Sequence, residues 1–155
     1  MKLWIAAAAA LLSVPTAALA CSCLATEDPV ELRNLAPEAA KNALALVEVE
    51  TLVPFAESKG AGDRMRIVRI LAGAAEPEFR VERGHFPSSA SCDLLFERGQ
   101  RGTIILYPAA PRATGDGLPT YRISGLCTGH LLDQPVLRGE IIRLIGNEAA
   151  PHERG

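Results

Sequence analysis

Ala43-Leu44-Ala45-Leu46-Val47-Glu48-Val49-Glu50-Thr51-Leu52-Val53 is the stretch whose pattern decides the fold. Apolar and acidic residues alternate at its centre, the period of a strand with one face buried and one in water. Downstream, Arg64 to Leu71 (RMRIVRIL) alternates arginine with apolar positions, and Gly60, Ala61, Gly62 and Asp63 form a turn region between the two. Glu78 to Arg83 (EFRVER) alternates again and stops at Gly84. Thr103 to Tyr107 (TIILY) is a continuous apolar run of buried-strand length, and Thr120 to Ser124 (TYRIS) is a further short strand. Pro135 to Ile145 (PVLRGEIIRLI) reads as a helix. Pro135 suits its first turn, Leu137, Ile141, Ile142, Leu144 and Ile145 form most of an apolar face, and Gly146 is expected to follow its end. Gly139 weakens this pattern, and Glu31 to Leu46 has room for one further short helix. The expectation is a mainly-β fold: a small five-stranded barrel, closed or partly open, with helices at its side.

Upstream, Lys2 precedes the apolar stretch Leu3 to Val14, Pro15 and Thr16 end it, and Ala18-Leu19-Ala20 supplies the small residues of a cleavage site. This is the pattern of a signal peptide over residues 1–20. The run is short for a membrane span and lacks a basic stop-transfer cluster, so no transmembrane segment is expected after cleavage. The expected location is secreted or periplasmic, in a bacterial style of composition rich in alanine and arginine. Setting Lys2 aside leaves 15 of the 16 basic residues against 18 acidic ones. That weakly acidic balance, without a basic cluster, argues against a nucleic-acid partner. Residues 21–146 have the length of one domain, and residues 147–155 read as a flexible tail.

Cys21, Cys23, Cys92 and Cys127 remain in the processed chain. An exported chain with an even count reads as two disulfides, with three possible pairings. A Cys21–Cys23 bond would close a tight, strained ring, so each is expected to pair at long range. A structural zinc is disfavoured by the absence of a C-x-x-C pair and by an oxidising compartment. No G-x-S-x-G, H-E-x-x-H or phosphate loop occurs, so neither an enzyme nor a cofactor is expected. His85, His130 and His152 are scattered, with no partner at metal-site spacing, and Asp93 reads as a turn or cap residue.

Cys21-Ser22-Cys23 directly behind the cleavage site resembles the start of the tissue inhibitors of metalloproteinases and the wider netrin-like module. Ser91-Cys92-Asp93-x-x-Phe96-x-x-Gly99, followed by the apolar run from Thr103, resembles that family's inner cysteine segment. Cys127, just after a strand and shortly before the last helix, fits the same pattern. The resemblance covers most of residues 21–146. It departs in having no cysteines for the third disulfide usual in that domain, and in placing Leu24-Ala25-Thr26-Glu27 where the family has a proline-containing continuation.

The resemblance implies an OB-type five-stranded barrel and the pairings Cys21–Cys92 and Cys23–Cys127. It also implies a zinc metalloprotease as partner, with the Cys21 amine and carbonyl oxygen chelating the protease's zinc. Ser22, Cys23, Leu24, Ser89, Ala90, Ser91 and Cys92 would form the contact ridge. The competing reading is a non-inhibitory secreted binding module, of which a lipoprotein anchored at Cys21 is a variant. Ala18 stands where lipid-attachment boxes usually have leucine. A thioether at Cys21 would also leave one of three remaining cysteines unpaired and, with the amine acylated, remove the chelating ligand.

Overall fold

The computed structural model describes residues 26–83, 93–110 and 115–148. The elements run α1 (Pro29–Ala40), β1 (Ala45–Val53), a single 3-10 turn (Phe55–Glu57), β2 (Arg64–Gly73), β3 (Glu78–Val81), β4 (Arg101–Pro108), β5 (Thr120–Ile123), α2 (Leu126–Leu131) and α3 (Pro135–Glu148). The strands close into a barrel in the order β1-β2-β3-β5-β4. Strand β1 pairs antiparallel with both β2 and β4, and β4 pairs antiparallel with β5. The seam is the parallel pairing of β3 with β5, Arg80 opposite Thr120 and Val81 opposite Tyr121. The fold is thus a small, mainly-β, OB-like barrel with a C-terminal helix and further helices beside it.

Two cores explain the composition of the strands. Ala45, Val47, Val49, Met65, Phe79, Val81, Ile104 and Leu106 fill the barrel. Leu46 and Ile105 point to the opposite face and are covered by Leu32, Ala36 and Ala40 of α1 and by Leu137, Ile141 and Ile145 of α3. This second core is why β4 reads as an unbroken apolar run: both of its faces are buried there. Along β1 the helical cover ends after Leu46, and the outward positions become Glu48 and Glu50. These meet Arg69 and Arg66 of β2 in ion pairs of 2.5 and 3.0 Å. Register shifts between β1 and β2 mark irregularities that bend the long pair around the barrel.

Local chemistry sets the helix ends. Asp28 Oδ1 accepts from the Val30 amide at 2.8 Å, with Pro29 in the first turn of α1. The expected short helix between Glu31 and Leu46 is α1, and β1 begins at Ala45 rather than Ala43. Strand β2 runs on to Gly73, β3 ends at Val81 instead of Arg83, and β5 ends at Ile123 instead of Ser124. Gly146 does not end α3, which runs on through Asn147 to Glu148. A terminating glycine adopts positive φ, and Gly146 is not among the residues that do.

Candidate functional site

Cys21, Ser22, Cys23, Leu24, Ser89, Ala90, Ser91 and Cys92 lie outside the described residues. Of the residues expected to build the site, Cys127 is described, on the six-residue helix α2 that follows β5. Its sulfur is engaged in a disulfide. The expected pairings Cys21–Cys92 and Cys23–Cys127 involve cysteines outside the described residues.

Helix α2 sits directly on the chain that leaves Cys92. A Cβ added at Gly129 would stand 2.9 Å from Leu94 Cδ2, so the helix approaches this close because Gly129 has no side chain. Leu94 and Phe96 also pack against the barrel core. Leu94, two residues beyond Cys92, is therefore held between α2 and the barrel.

The strongest polar arrangement lies at the same place. Arg83 Nε donates to Asp63 Oδ2 at 2.9 Å, and Arg83 Nη2 lies 2.8 Å from the same oxygen. The two side chains are only 6% and 2% exposed, which places this ion pair inside the protein. Arg83 Nη2 also donates to the Leu94 carbonyl at 2.9 Å, and Nη1 lies 3.7 Å from Asp93 Oδ1. The guanidinium stands 5.7 Å from the centre of the Phe96 ring. Asp63 Oδ1 accepts from the Phe55 amide at 2.8 Å, and its backbone carbonyl accepts from the Val81 amide at 2.9 Å. A buried charge needs this density of partners to offset its lost hydration. Asp93, read as a turn or cap residue, faces Arg83.

The sequence carried a signal for this cluster. Phe79 and Val81 point inward, and Arg83 continues the same two-residue phase. An arginine in an inward phase requires a buried carboxylate, and Asp63 in the preceding turn region supplies it.

A cleft of about 680 Å3 opens between α1, α2 and the barrel, lined by Leu35, Tyr107, Arg122, Ser124, Cys127 and Leu131, among others. Ser124 Oγ is buried without a hydrogen-bond partner. His130 lies exposed in the last turn of α2. Among the described residues, no three of His, Cys, Asp and Glu come together as a metal site. No described helix is long and apolar enough to cross a membrane.

No family model, curated protein or solved structure matches the chain.

Proposed function

We propose that the chain is an exported inhibitor module whose processed N-terminus, Cys21, caps the zinc of a metalloprotease. The supporting observation is a juxtaposition within an OB-like barrel. The disulfide-bonded Cys127 rides on a helix packed directly against Leu94, two residues beyond Cys92. The pairings that the resemblance implies, Cys21–Cys92 and Cys23–Cys127, would draw the N-terminal cysteines towards this part of the barrel.

The chemistry follows from the metal. A catalytic zinc keeps one open position, normally filled by water. The α-amine and carbonyl oxygen of Cys21 would displace that water as a chelate. The amine must give up its proton to donate a lone pair, and its ordinary pKa of about 7.7–8.0 makes this feasible near neutrality. A disulfide at Cys21 would fix the chelating atoms and reduce the entropy lost on binding.

The experiment compares protein beginning at Cys21 with protein carrying one extra alanine before it, against a panel of zinc endopeptidases. The extension moves the amine off the chelate and adds a steric clash, so inhibition should be lost. Equal inhibition by both forms would exclude the chelation mechanism. No inhibition by either form would favour the non-inhibitory binding module. A diacylglycerol adduct in the intact mass would favour a lipoprotein.

A further inference from the structure

The outer face of β4 and β5 carries polar groups that zinc capping does not use. Tyr107 of β4 stands opposite Arg122 of β5, one step along from the inward pair Leu106 and Ile123. Side chains alternate along a strand, so Arg122 and Ser124 share the outer face with Tyr107. Just past β5, the Ser124 amide still donates to the Ile105 carbonyl at 3.3 Å, which carries the β4–β5 ladder one residue further. The end of α1 and helix α2 stand over this face and leave the cleft of about 680 Å3. That volume lies within the range of small-molecule sites, roughly 300–1,000 Å3.

The cleft has an apolar side and a polar side. Leu35 and Leu131 form the first, and Leu35 is 39% exposed there. On the second, Ser124 is only 5% exposed and its hydroxyl has no hydrogen-bond partner. Buried hydroxyls are ordinarily bonded, because an unmet one forfeits its hydration without return. Arg122 Nε donates to the Pro108 carbonyl at 2.8 Å, which orients the guanidinium and leaves its two Nη groups. Among the described residues, no carboxylate forms an ion pair with Arg122 or with Lys41, the other cation of the cleft. Glu38 is the single acid lining it, so positive charge prevails.

We propose that this cleft binds a small amphipathic carboxylate, its apolar body against Leu35 and Leu131 and its carboxylate held by Arg122 and the Ser124 hydroxyl. A carboxylate is acceptor-only, and the groups waiting for it are donors. It takes the Ser124 proton and the Arg122 Nη protons together, in charge-assisted bonds. An ammonium of the same length would set donor against donor and cation against two cations. Lys41 adds attraction at the rim without being required for the contact. The site is separate from the Cys21 amine, so it stands or falls independently of the inhibitor reading.

The test titrates the oxidised protein beginning at Cys21 with octanoate, butyrate and octylammonium, each kept below micelle formation, and follows amide chemical shifts. R122Q, S124A and E140Q are titrated alongside. Glu140 pairs with Arg143 on α3, does not line the cleft, and serves as the control. Octanoate should give saturable one-to-one shifts centred on Tyr107, Arg122, Ser124 and Leu131. Butyrate, with four fewer methylenes to bury, should bind at least about tenfold more weakly. Octylammonium should give no saturable shift at these residues. R122Q should weaken octanoate about tenfold or more, S124A about fivefold, and E140Q should leave it unchanged. No saturable shift with octanoate would overturn the proposal. Shifts centred instead on Val68 and Ile70, the exposed apolar residues of β2, would also overturn it, because any greasy surface would then serve. Equal affinity for octanoate and octylammonium would overturn the choice of a carboxylate, and unchanged affinity in R122Q would overturn the role of Arg122. Should R122Q fail to fold, unchanged octanoate affinity in S124A is the overturning result. No protease enters this experiment, so its outcome leaves the inhibitor reading where the alanine-extension assay puts it.

Discussion

The Tyr107 hydroxyl of β4 donates to the carbonyl oxygen of Ala39 at 2.7 Å, tying the barrel to the last turn of α1. Burial pushes the Tyr107 phenol above its ordinary value, with the nearby Glu38 charge acting in the same direction. The folded state therefore holds the proton more tightly than the unfolded chain does. The stability this contributes is complete below the unfolded value of about 10 and is lost as pH climbs through the raised folded value. Phenolate absorbance during an alkaline titration should show Tyr107 ionising above that value. Tyr107→Phe should cost about 1 kcal/mol at neutral pH and should blunt the alkaline loss of stability.

Gly73 and Gly60 both adopt positive φ, +76° and +84°, but in different surroundings. A Cβ at Gly73 would lie 2.0 Å from the Leu44 carbonyl oxygen, whereas nothing stands within 4 Å of one at Gly60. Gly60→Ala should cost only the backbone term, about 1–2 kcal/mol. Gly73→Ala must also displace β1 from the end of β2, so its denaturation midpoint should fall clearly below that of Gly60→Ala. Equal midpoints would show that the Leu44 contact yields without cost.

Phe79 is fully buried in the barrel and meets the Tyr121 ring edge-on, with 5.3 Å between centroids. Phe79→Ala should lower stability by about 3–5 kcal/mol in urea unfolding. Leu95→Ala removes a side chain of a residue that is 53% exposed. It should change stability by no more than about 0.5 kcal/mol, which tests whether the core or total apolar content sets stability.

The Arg69 hydrogen bond holds the Glu48 carboxyl below its ordinary value, helped by the charges of Arg69 and Arg138. Its stabilising effect is present above the unfolded carboxylate value and is lost as pH falls through the lowered folded value. Glu48→Gln should therefore flatten the acid end of the stability profile and leave the alkaline end unchanged. The pair is exposed, so about 1 M salt should remove most of the difference between the variant and the unsubstituted protein.

The strands were readable where one face met water and the other the core, as in the Val47-Glu48-Val49-Glu50 alternation. Helix α3 was readable because Leu137, Ile141 and Ile145 recur on one face. Helix α2 was not. Its six residues are too few for a period, and Gly129, a poor helix former, is present to admit Leu94. The end of α3 was misplaced because glycine stops a helix only when the chain turns into positive φ, which Gly146 does not do. The parallel β3–β5 seam joins short strands that carry no local mark of their partner. At the candidate site, the alternation of Glu78 to Arg83 did not by itself single out Arg83, although Phe79 and Val81 set an inward phase that it continues. The positions of Cys21 to Leu24 and Ser89 to Cys92 are expectations from resemblance, and Cys127 lies on α2, between β5 and α3.

Leu32 and Ala36, near the start of the described chain, share a core with Ile141 and Ile145, near its end. A nascent chain that has not yet produced α3 leaves the outer faces of Leu46 and Ile105 without their cover. This core can therefore form only once α3 is available, and its slow step should involve contacts of long sequence separation. A chain ending before Pro135 should bind a fluorescent hydrophobic dye and interact with chaperones that a chain including α3 escapes.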